Sequence, residues 1–315
     1  MDDWDARNYD KDIHLRKDIK FPDIAEDKIK DHATKVEAYV SGKISPEELA
    51  LIPQIEELPK FIPAQILENR VTELAEEGIL DLNKTCVFFG KRGTGKTFLL
   101  RWILQDPDVR SQFPRIIVMT DTKLNNFWQK YVPEDYIHEG FSPALVNKIL
   151  DKQEEVVKKW NKLDDEDKLK VNTTLCVVMD DVISNDNIKY CKLFDRIFTA
   201  GRHYHIALFI TTQYAKGINT VARGNIDFAF VFKQDMRIQM ESLADDFFNF
   251  FTNRHTAFEI LDRFTDKHRT GDEHLALCVA KQKNTNNLYE LLTIVKAEDD
   301  NGEKLGDEMF QQLGR

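Results

Sequence analysis

The sequence predicts an α/β fold built on a parallel sheet, and three stretches carry the prediction. The apolar run Cys86-Val87-Phe88-Phe89 leads into Gly90-Lys91-Arg92-Gly93-Thr94-Gly95-Lys96-Thr97, and a helix-like stretch from Phe98 to Leu104 follows. A second run, Leu175-Cys176-Val177-Val178-Met179, is apolar throughout and ends in Asp180-Asp181. A third, Ile206 to Thr212, ends in Gln213. Continuous runs of this length suit strands buried on both faces, and their alternation with helical patterns places helices over both sides of one sheet.

Residues Gly90 to Thr97 spell G-x-x-x-x-G-K-T, the pattern of a phosphate-binding loop. Its glycines let the backbone turn so that successive N–H groups point at phosphate oxygens, and the helix behind adds the positive end of its dipole. All eight residues are therefore candidates for binding ATP, with Lys96 reaching the β- and γ-phosphates and the Thr97 hydroxyl ligating Mg²⁺. The flanking strand and helix argue against a glycine-rich turn with an incidental lysine.

The run ending in Asp180-Asp181 reads as a Walker B strand. Ligands of an open parallel sheet gather outside the carboxyl ends of its strands, which brings Asp180 beside the loop. Asp180 is the candidate for holding Mg²⁺ through water, and Asp181 for polarising the attacking water. A nucleotide switch needs only the first acid, whereas a hydrolase gains from a positioned base. Placing the strand that ends in Gln213 between the two Walker strands gives the additional-strand (RecA-like) P-loop NTPase layout, in which the Gln213 amide senses the γ-phosphate.

The rest of the chain follows in order. Residues 1–60 form a charged, partly helical N-terminal extension, with one helix near Glu26 to Val40 and another opened by the capping box Ser45-Pro46-Glu47-Glu48. It reads as an appendage or docking arm, partly disordered before Phe21. The ATPase domain is expected over 61–297, with a strand at Arg115 to Met119 and a helix opened by Ser142-Pro143. That helix turns Val146, Ile149, Leu150, Val156, Val157 and Trp160 inward. Lys158, Lys159 and Lys162 read as its solvated face in preference to a nucleic-acid contact. Asp164 to Asp167 forms a loop or helix end, and a helix follows near Ile188 to Phe198. A strand spans Phe228 to Phe232, and the phenylalanine-rich stretch Asp245 to Phe251 reads as a core helix, with a subunit interface as the alternative. His274 to Ala280 and Leu288 to Val295 predict a C-terminal β-hairpin, and residues 298–315 a frayed acidic tail.

Composition frames these elements. A chain of 315 residues with 42% hydrophobic content can bury a large core. Its formal net charge of −10 argues against a surface coated for nucleic acid and leaves room for a local basic channel. The acidic N-terminus is unlike a secretory signal, and no apolar stretch reaches membrane-spanning length. Cys86, Cys176, Cys191 and Cys278 are scattered, as buried thiols of a reducing compartment would be, and no paired Cys or His spacing suggests zinc. His203 and His205 read as packing histidines.

Three strings together resemble the poxvirus-type genome-packaging ATPases of nucleocytoplasmic large DNA viruses, a branch of the FtsK–HerA superfamily. They are the phosphate loop, the double aspartate, and Gly201-Arg202-His203-Tyr204-His205-Ile206-Ala207-Leu208-Phe209-Ile210-Thr211-Thr212-Gln213. Asn125-Asn126-Phe127-Trp128, Val132-Pro133 and Arg223-Gly224-Asn225-Ile226-Asp227 extend the likeness, which covers roughly residues 60 to 235. Asp181 departs from the wider superfamily, where glutamate is more usual. The resemblance implies a homo-oligomeric ring that hydrolyses ATP at subunit interfaces and pumps double-stranded DNA into a capsid, in the virion and the host-cell cytoplasm. Capsid or inner-membrane viral proteins are the implied docking partners. A ring also needs an arginine from the neighbouring subunit. Arg202 and Arg223 are the candidates, because both precede strands whose ends face the nucleotide side or the subunit edge, and Arg92 is a further one within its own subunit. The alternatives are a cellular or plasmid translocase of the same superfamily and a non-motor nucleotide switch.

Overall fold

The computed structural model describes residues 83–313, apart from 183–187, 189, 252–253, 271–273 and 282–290. The helices expected near Glu26 to Val40 and after Ser45 lie outside the described residues.

Eight strands form one sheet: β1 (Thr85–Phe89), β2 (Arg115–Thr120), β3 (Ile137–Glu139), β4 (Leu175–Asp180), β5 (Ile206–Thr212), β6 (Phe228–Phe232), β7 (Ala276–Ala280) and β8 (Leu292–Val295). Their order is β3-β2-β4-β5-β1-β6-β7-β8. The first six are parallel neighbours, and β7 and β8 pair antiparallel, as the two last expected strands would; β8 begins at Leu292 in place of Leu288, and the expected turn around 284–287 lies outside the described residues. β5 lies between β1 and β4, with Thr85 opposite Leu208 and Leu175 opposite Ile206, so the additional-strand layout is present. This order puts the ends of β1, β4 and β5 side by side, and with them Gly90, Asp181 and Gln213.

The helices are α1 (Lys96–Gln105), α2 (Pro107–Gln112), α3 (Pro143–Trp160), α4 (Asp165–Lys168), α5 (Lys192–Ala200), α6 (Thr220–Gly224), α7 (Arg237–Phe247), α8 (Arg254–Thr265), α9 (Lys267–Thr270) and α10 (Glu308–Gln312). The period-two alternation of each strand divides the core between the faces of the sheet. Cys86, Phe88, Cys176, Val178, Phe209 and Phe230 face α1, whose Leu99, Leu100, Ile103 and Leu104 cover them. Phe88 and Phe230 stack with ring centroids 4.5 Å apart. Val87, Phe89, Val177, Met179, Leu208 and Val231 face the other way, beneath α3, α5, α7 and α8.

Several expectations need correction. β3 escaped the sequence reading because three residues on a sheet edge carry no measurable period. On α3 the cap is Ser142, which accepts from the Leu145 N–H, as read. Val156, Val157 and Trp160, however, are only half-buried, and the buried residue of that turn is Gln153. Its amide donates to the carbonyls of Thr173 (3.1 Å) and Tyr204 (3.0 Å), which makes a buried polar group acceptable there. The helix expected from Ile188 begins, as α5, at Lys192. Asp245 to Phe251 is not one helix: α7 ends at Phe247, and the chain turns at Phe248. The turn lets Phe247, Phe248 and Phe251 all reach the core, which no single helical face allows.

The tail is not frayed. Leu305 and Phe310 are buried against the α1 side of the sheet. Asp300 sits 2.6 Å from Nη1 of Arg101, a guanidinium only 1% exposed on α1, and accepts the Tyr131 hydroxyl and the Gln105 amide. Acidic composition looks like a solvated tail until a buried cation is found opposite it. Burial pushes the Asp300 carboxyl up, but its hydrogen bonds from Tyr131, Gly302 N–H and Gln105 and the Arg101 charge outweigh this and hold it well below the usual range.

Such a depressed carboxyl contributes stability that is present above its unfolded pKa and lost as pH falls through the folded one. Asp300→Asn should therefore cost about 1–2 kcal/mol in urea denaturation at neutral pH, and the gap from wild type should close as the pH falls toward 2. This is below the ~3–5 kcal/mol of a wholly buried pair, because the Asp300 side chain is 42% exposed.

Candidate functional site

The phosphate loop is pinned where it leaves β1: the Gly90 N–H donates to the Thr212 carbonyl at 3.2 Å. A Cβ at position 90 would lie 2.5 Å from Thr94 Oγ1 and 2.9 Å from Phe232 Cβ, so the packing admits only glycine. Gly95, at φ 94°, adopts the left-handed turn that starts α1 at Lys96. The first N–H groups of α1 are then aimed into the loop, ready for an anion. Lys91 pairs with Asp235, whereas Arg92 is exposed.

Lys96 is 4% exposed, with its ammonium donating to the Lys91 carbonyl at 3.1 Å and lying 3.8 Å from Asp181 Oδ1. Burial lowers its pKa, and the charges of Asp181 and Asp180 act against that. At the next residue, the Thr97 hydroxyl donates to Asp180 Oδ1 at 2.8 Å. Having given its proton there, that oxygen keeps its lone pairs for a cation.

Asp180 ends β4 at 3% exposure and collects donors from three other elements. Oδ1 accepts from Thr97 and, at 2.7 Å, from Thr211 of β5. Oδ2 accepts from the Trp128 indole at 2.9 Å. Thr211 also ties the next residue, since its Oγ1 accepts from the Asp181 N–H at 2.9 Å. Asp181 takes a left-handed φ of 56°, a conformation aspartate tolerates better than most residues, and its carboxylate turns toward Lys96. The Gln213 side chain approaches that carboxylate and favours its charged form. Burial raises the Asp181 pKa, with Asp180 and Asp121 adding like charge and Lys96 and Gln213 opposing.

The set comprises an ammonium, a hydroxyl, two carboxylates and an amide at the mouth of a glycine loop, and it fits a magnesium nucleotide. Mg²⁺ takes oxygen ligands and keeps most of its water, and Thr97 and Asp180 are the oxygens on hand.

The structure brings together all the expected site residues except the two arginines. Arg202 and Arg223 precede β5 and β6, and in a parallel sheet the strand starts lie at the end opposite the loop. The carboxyl ends of those strands face the nucleotide; the arginines themselves do not. Arg223 Nε lies 2.8 Å from Asp246 Oδ2, an ion pair within the subunit. His205 bonds Thr173 at 2.6 Å and meets the Trp160 ring edge-on, as a packing histidine does.

Trp128 and Thr211 are site residues whose roles the sequence did not reveal. Thr211 left a trace, a hydroxyl in the last turnings of an otherwise apolar buried strand. Trp128 stands in one of the strings that carry the resemblance, but its bond to Asp180 left no local mark, because that partner is 52 residues away in the chain.

The raised Asp181 pKa gives a test of the ligand-free site. Stability tied to a raised carboxyl is fully present below the unfolded pKa and lost as pH rises through the folded one. Asp181→Asn should accordingly melt above wild type at neutral pH without nucleotide, with the difference vanishing below about pH 4.

Residues 73–269 match the family model described as Poxvirus A32 protein. An uncharacterised protein of Acanthamoeba polyphaga mimivirus is 25% identical over 195 residues, covering 60% of this chain and 68% of that protein. One of Frog virus 3 is 27% identical over 150 residues, covering 47% and 44%. The chain thus spans less than half the length of the second relative. Among solved structures, the genome packaging NTPase B204 of Sulfolobus turreted icosahedral virus 2, in complex with AMPPCP, aligns over 69% of this chain and 99% of its own at 13% identity and a TM-score of 0.47. Membership rests on the family match, which takes in more than half of the chain together with both Walker strands, the phosphate loop and Gln213: the chain belongs to the Poxvirus A32 protein family and is a P-loop ATPase.

Proposed function

We propose that the chain is an ATP-driven translocase of double-stranded DNA that packages a viral genome into its capsid, working as a homo-oligomeric ring. The observation that carries the reading is the 2.8 Å bond between Thr97 and Asp180, which joins the phosphate loop to the acid strand, with a second acid, Asp181, beside Lys96. A family of viral proteins with a hydrolytic site in place of a bare switch is what a packaging motor requires. No helix among the described residues is long and apolar enough to cross a membrane. Capsid or inner-membrane viral proteins are the partners this reading expects, with the virion and the host-cell cytoplasm as its places of work.

In this reading, Gly90 to Thr97 wrap the phosphates with backbone N–H groups, and Lys96 neutralises the β- and γ-oxygens. Thr97 and Asp180 hold Mg²⁺, which when bound supplies further positive charge against the phosphates. Asp181 orients and deprotonates the attacking water, while Gln213, beside the same carboxylate, registers whether the γ-phosphate is present. Trp128 is a positioning residue: it fixes Asp180 Oδ2 so that Oδ1 faces Thr97. Arg202 and Arg223 lie at the other end of their own sheet, so either would act on phosphate only in a neighbouring subunit, whereas Arg92, exposed in the loop, would act within its own. DNA would be gripped through its phosphates without reading bases, so affinity should fall steeply with salt.

Steady-state hydrolysis with and without long double-stranded DNA tests the proposal. Wild type should be stimulated, and Lys96→Ala should lose hydrolysis by at least about 100-fold. A rate indifferent to DNA at every salt concentration would overturn the motor reading. Asp181→Asn should bind nucleotide yet fail to turn over; normal turnover would remove Asp181 from the role of base. Trp128→Phe, which keeps the ring and drops the N–H, should slow turnover about tenfold with nucleotide affinity nearly unchanged.

A further inference from the structure

At the amino ends of the strands, opposite the phosphate loop, lies a cavity of about 230 Å³ walled by Lys84, Arg202, Asn225, Asp227 and Lys281. The topology assembles it: Lys84 precedes β1, Arg202 precedes β5, Asp227 precedes β6, and Lys281 follows antiparallel β7. Three cations therefore converge from the ends of three strands onto a space large enough for a phosphate group and some of its hydration.

The cations are not consumed by local partners. Among the described residues, the side chains of Lys84 and Arg202 make no hydrogen bond or ion pair, and Lys281 Nζ meets only a carbonyl, that of Arg223, at 3.2 Å, and the Phe247 ring. Asp227, the single acid on the wall among the described residues, is already used: its Oδ2 accepts the Thr85 N–H at 2.8 Å and secures the start of β1. Lys84 and Arg202 act on that carboxyl across the cavity, and neither comes within ion-pairing distance of it. Arg223, next to the wall, is balanced by Asp246. On a chain whose formal net charge is −10, three cations against one engaged acid make a local reversal of sign. Such a reversal inside a concave, partly dry cleft focuses field on an anion.

We propose that this cleft is an oxyanion site that holds a backbone phosphate of double-stranded DNA. The proposal rests on the translocase reading and names the surface by which the chain grips its substrate. The occupant is a phosphodiester because the donors are point charges and a guanidinium, arranged with no pocket for a base. Its place at the far end of the sheet from the nucleotide separates the two ligands by the length of β1, so ATP-driven movement of the sheet's two ends relative to a neighbouring subunit would be felt directly by the DNA.

The test compares wild type with Lys84→Glu/Lys281→Glu, and with the milder Lys84→Gln/Lys281→Gln, in anisotropy titrations of a labelled 40-base-pair duplex across a salt series. Melting curves check the fold of each variant. The charge reversal should weaken binding about tenfold or more, and both variants should reduce the slope of log affinity against log salt by about 1, the loss of one phosphate contact. Wild-type binding with equal affinity and slope in both variants would overturn the cleft assignment and leave the translocase reading standing. Failure of wild type itself to bind DNA would overturn that reading, and the cleft proposal with it. Calorimetry with inorganic phosphate separates the sources of the anion: micromolar phosphate binding lost in the variants, with DNA affinity unchanged, would assign the cleft to a free ion and overturn the DNA proposal.

Discussion

The carboxylate of Asp180 is the point on which the site is assembled. Buried at the end of β4, it would be expensive to leave charged and unpaired, and three donors from α1, β5 and the segment after β2 converge to satisfy it. Each donor carries something with it. Thr97 brings the first turn of α1 and so the phosphate loop, Thr211 brings the end of β5 and the backbone of Asp181, and Trp128 brings the aromatic segment that also contains Phe127 and Tyr131. Satisfying one buried charge therefore fixes the relative positions of the groups that would handle nucleotide.

The sheet order makes that convergence possible. A parallel arrangement with β5 between β1 and β4 delivers three carboxyl ends to one end of the sheet, where the glycine turn and the segment that carries Trp128 close the site. The same arrangement sends the starts of those strands to the opposite edge. The cleft of Lys84, Arg202 and Lys281 is the counterpart there, so the two ends of one sheet present opposite chemistries: acids and a glycine loop at one, unpaired cations at the other.

Much of this was legible because the informative residues are local in sequence. The phosphate loop, the acid pair and the strand ending in Gln213 each announce themselves within a dozen residues, and β1, β5 and β6 fall where their apolar runs lie. What escaped depends on distant partners. Trp128 looks like an ordinary core aromatic until Asp180 is beside it, and Gln153 breaks an apolar stripe for the sake of carbonyls contributed by two other segments. The tail misled for the same reason: its acids read as solvated, and only the fold places Asp300 against Arg101. Arg202 and Arg223 precede parallel strands, so in their own subunit they sit at the end of the sheet away from the nucleotide loop, a placement that only the strand directions reveal.

The docking of the tail on α1 has a consequence for how the protein is made. A ribosome releases the chain from its N-terminus, so the helix that carries the phosphate loop emerges some 200 residues before Asp300, Leu305 and Phe310 do. Until they arrive, Arg101 has no carboxylate opposite it, and one side of α1 lacks its cover. The helix that carries the phosphate loop thus reaches its final packing only after residues about 200 positions downstream have been made and docked over it.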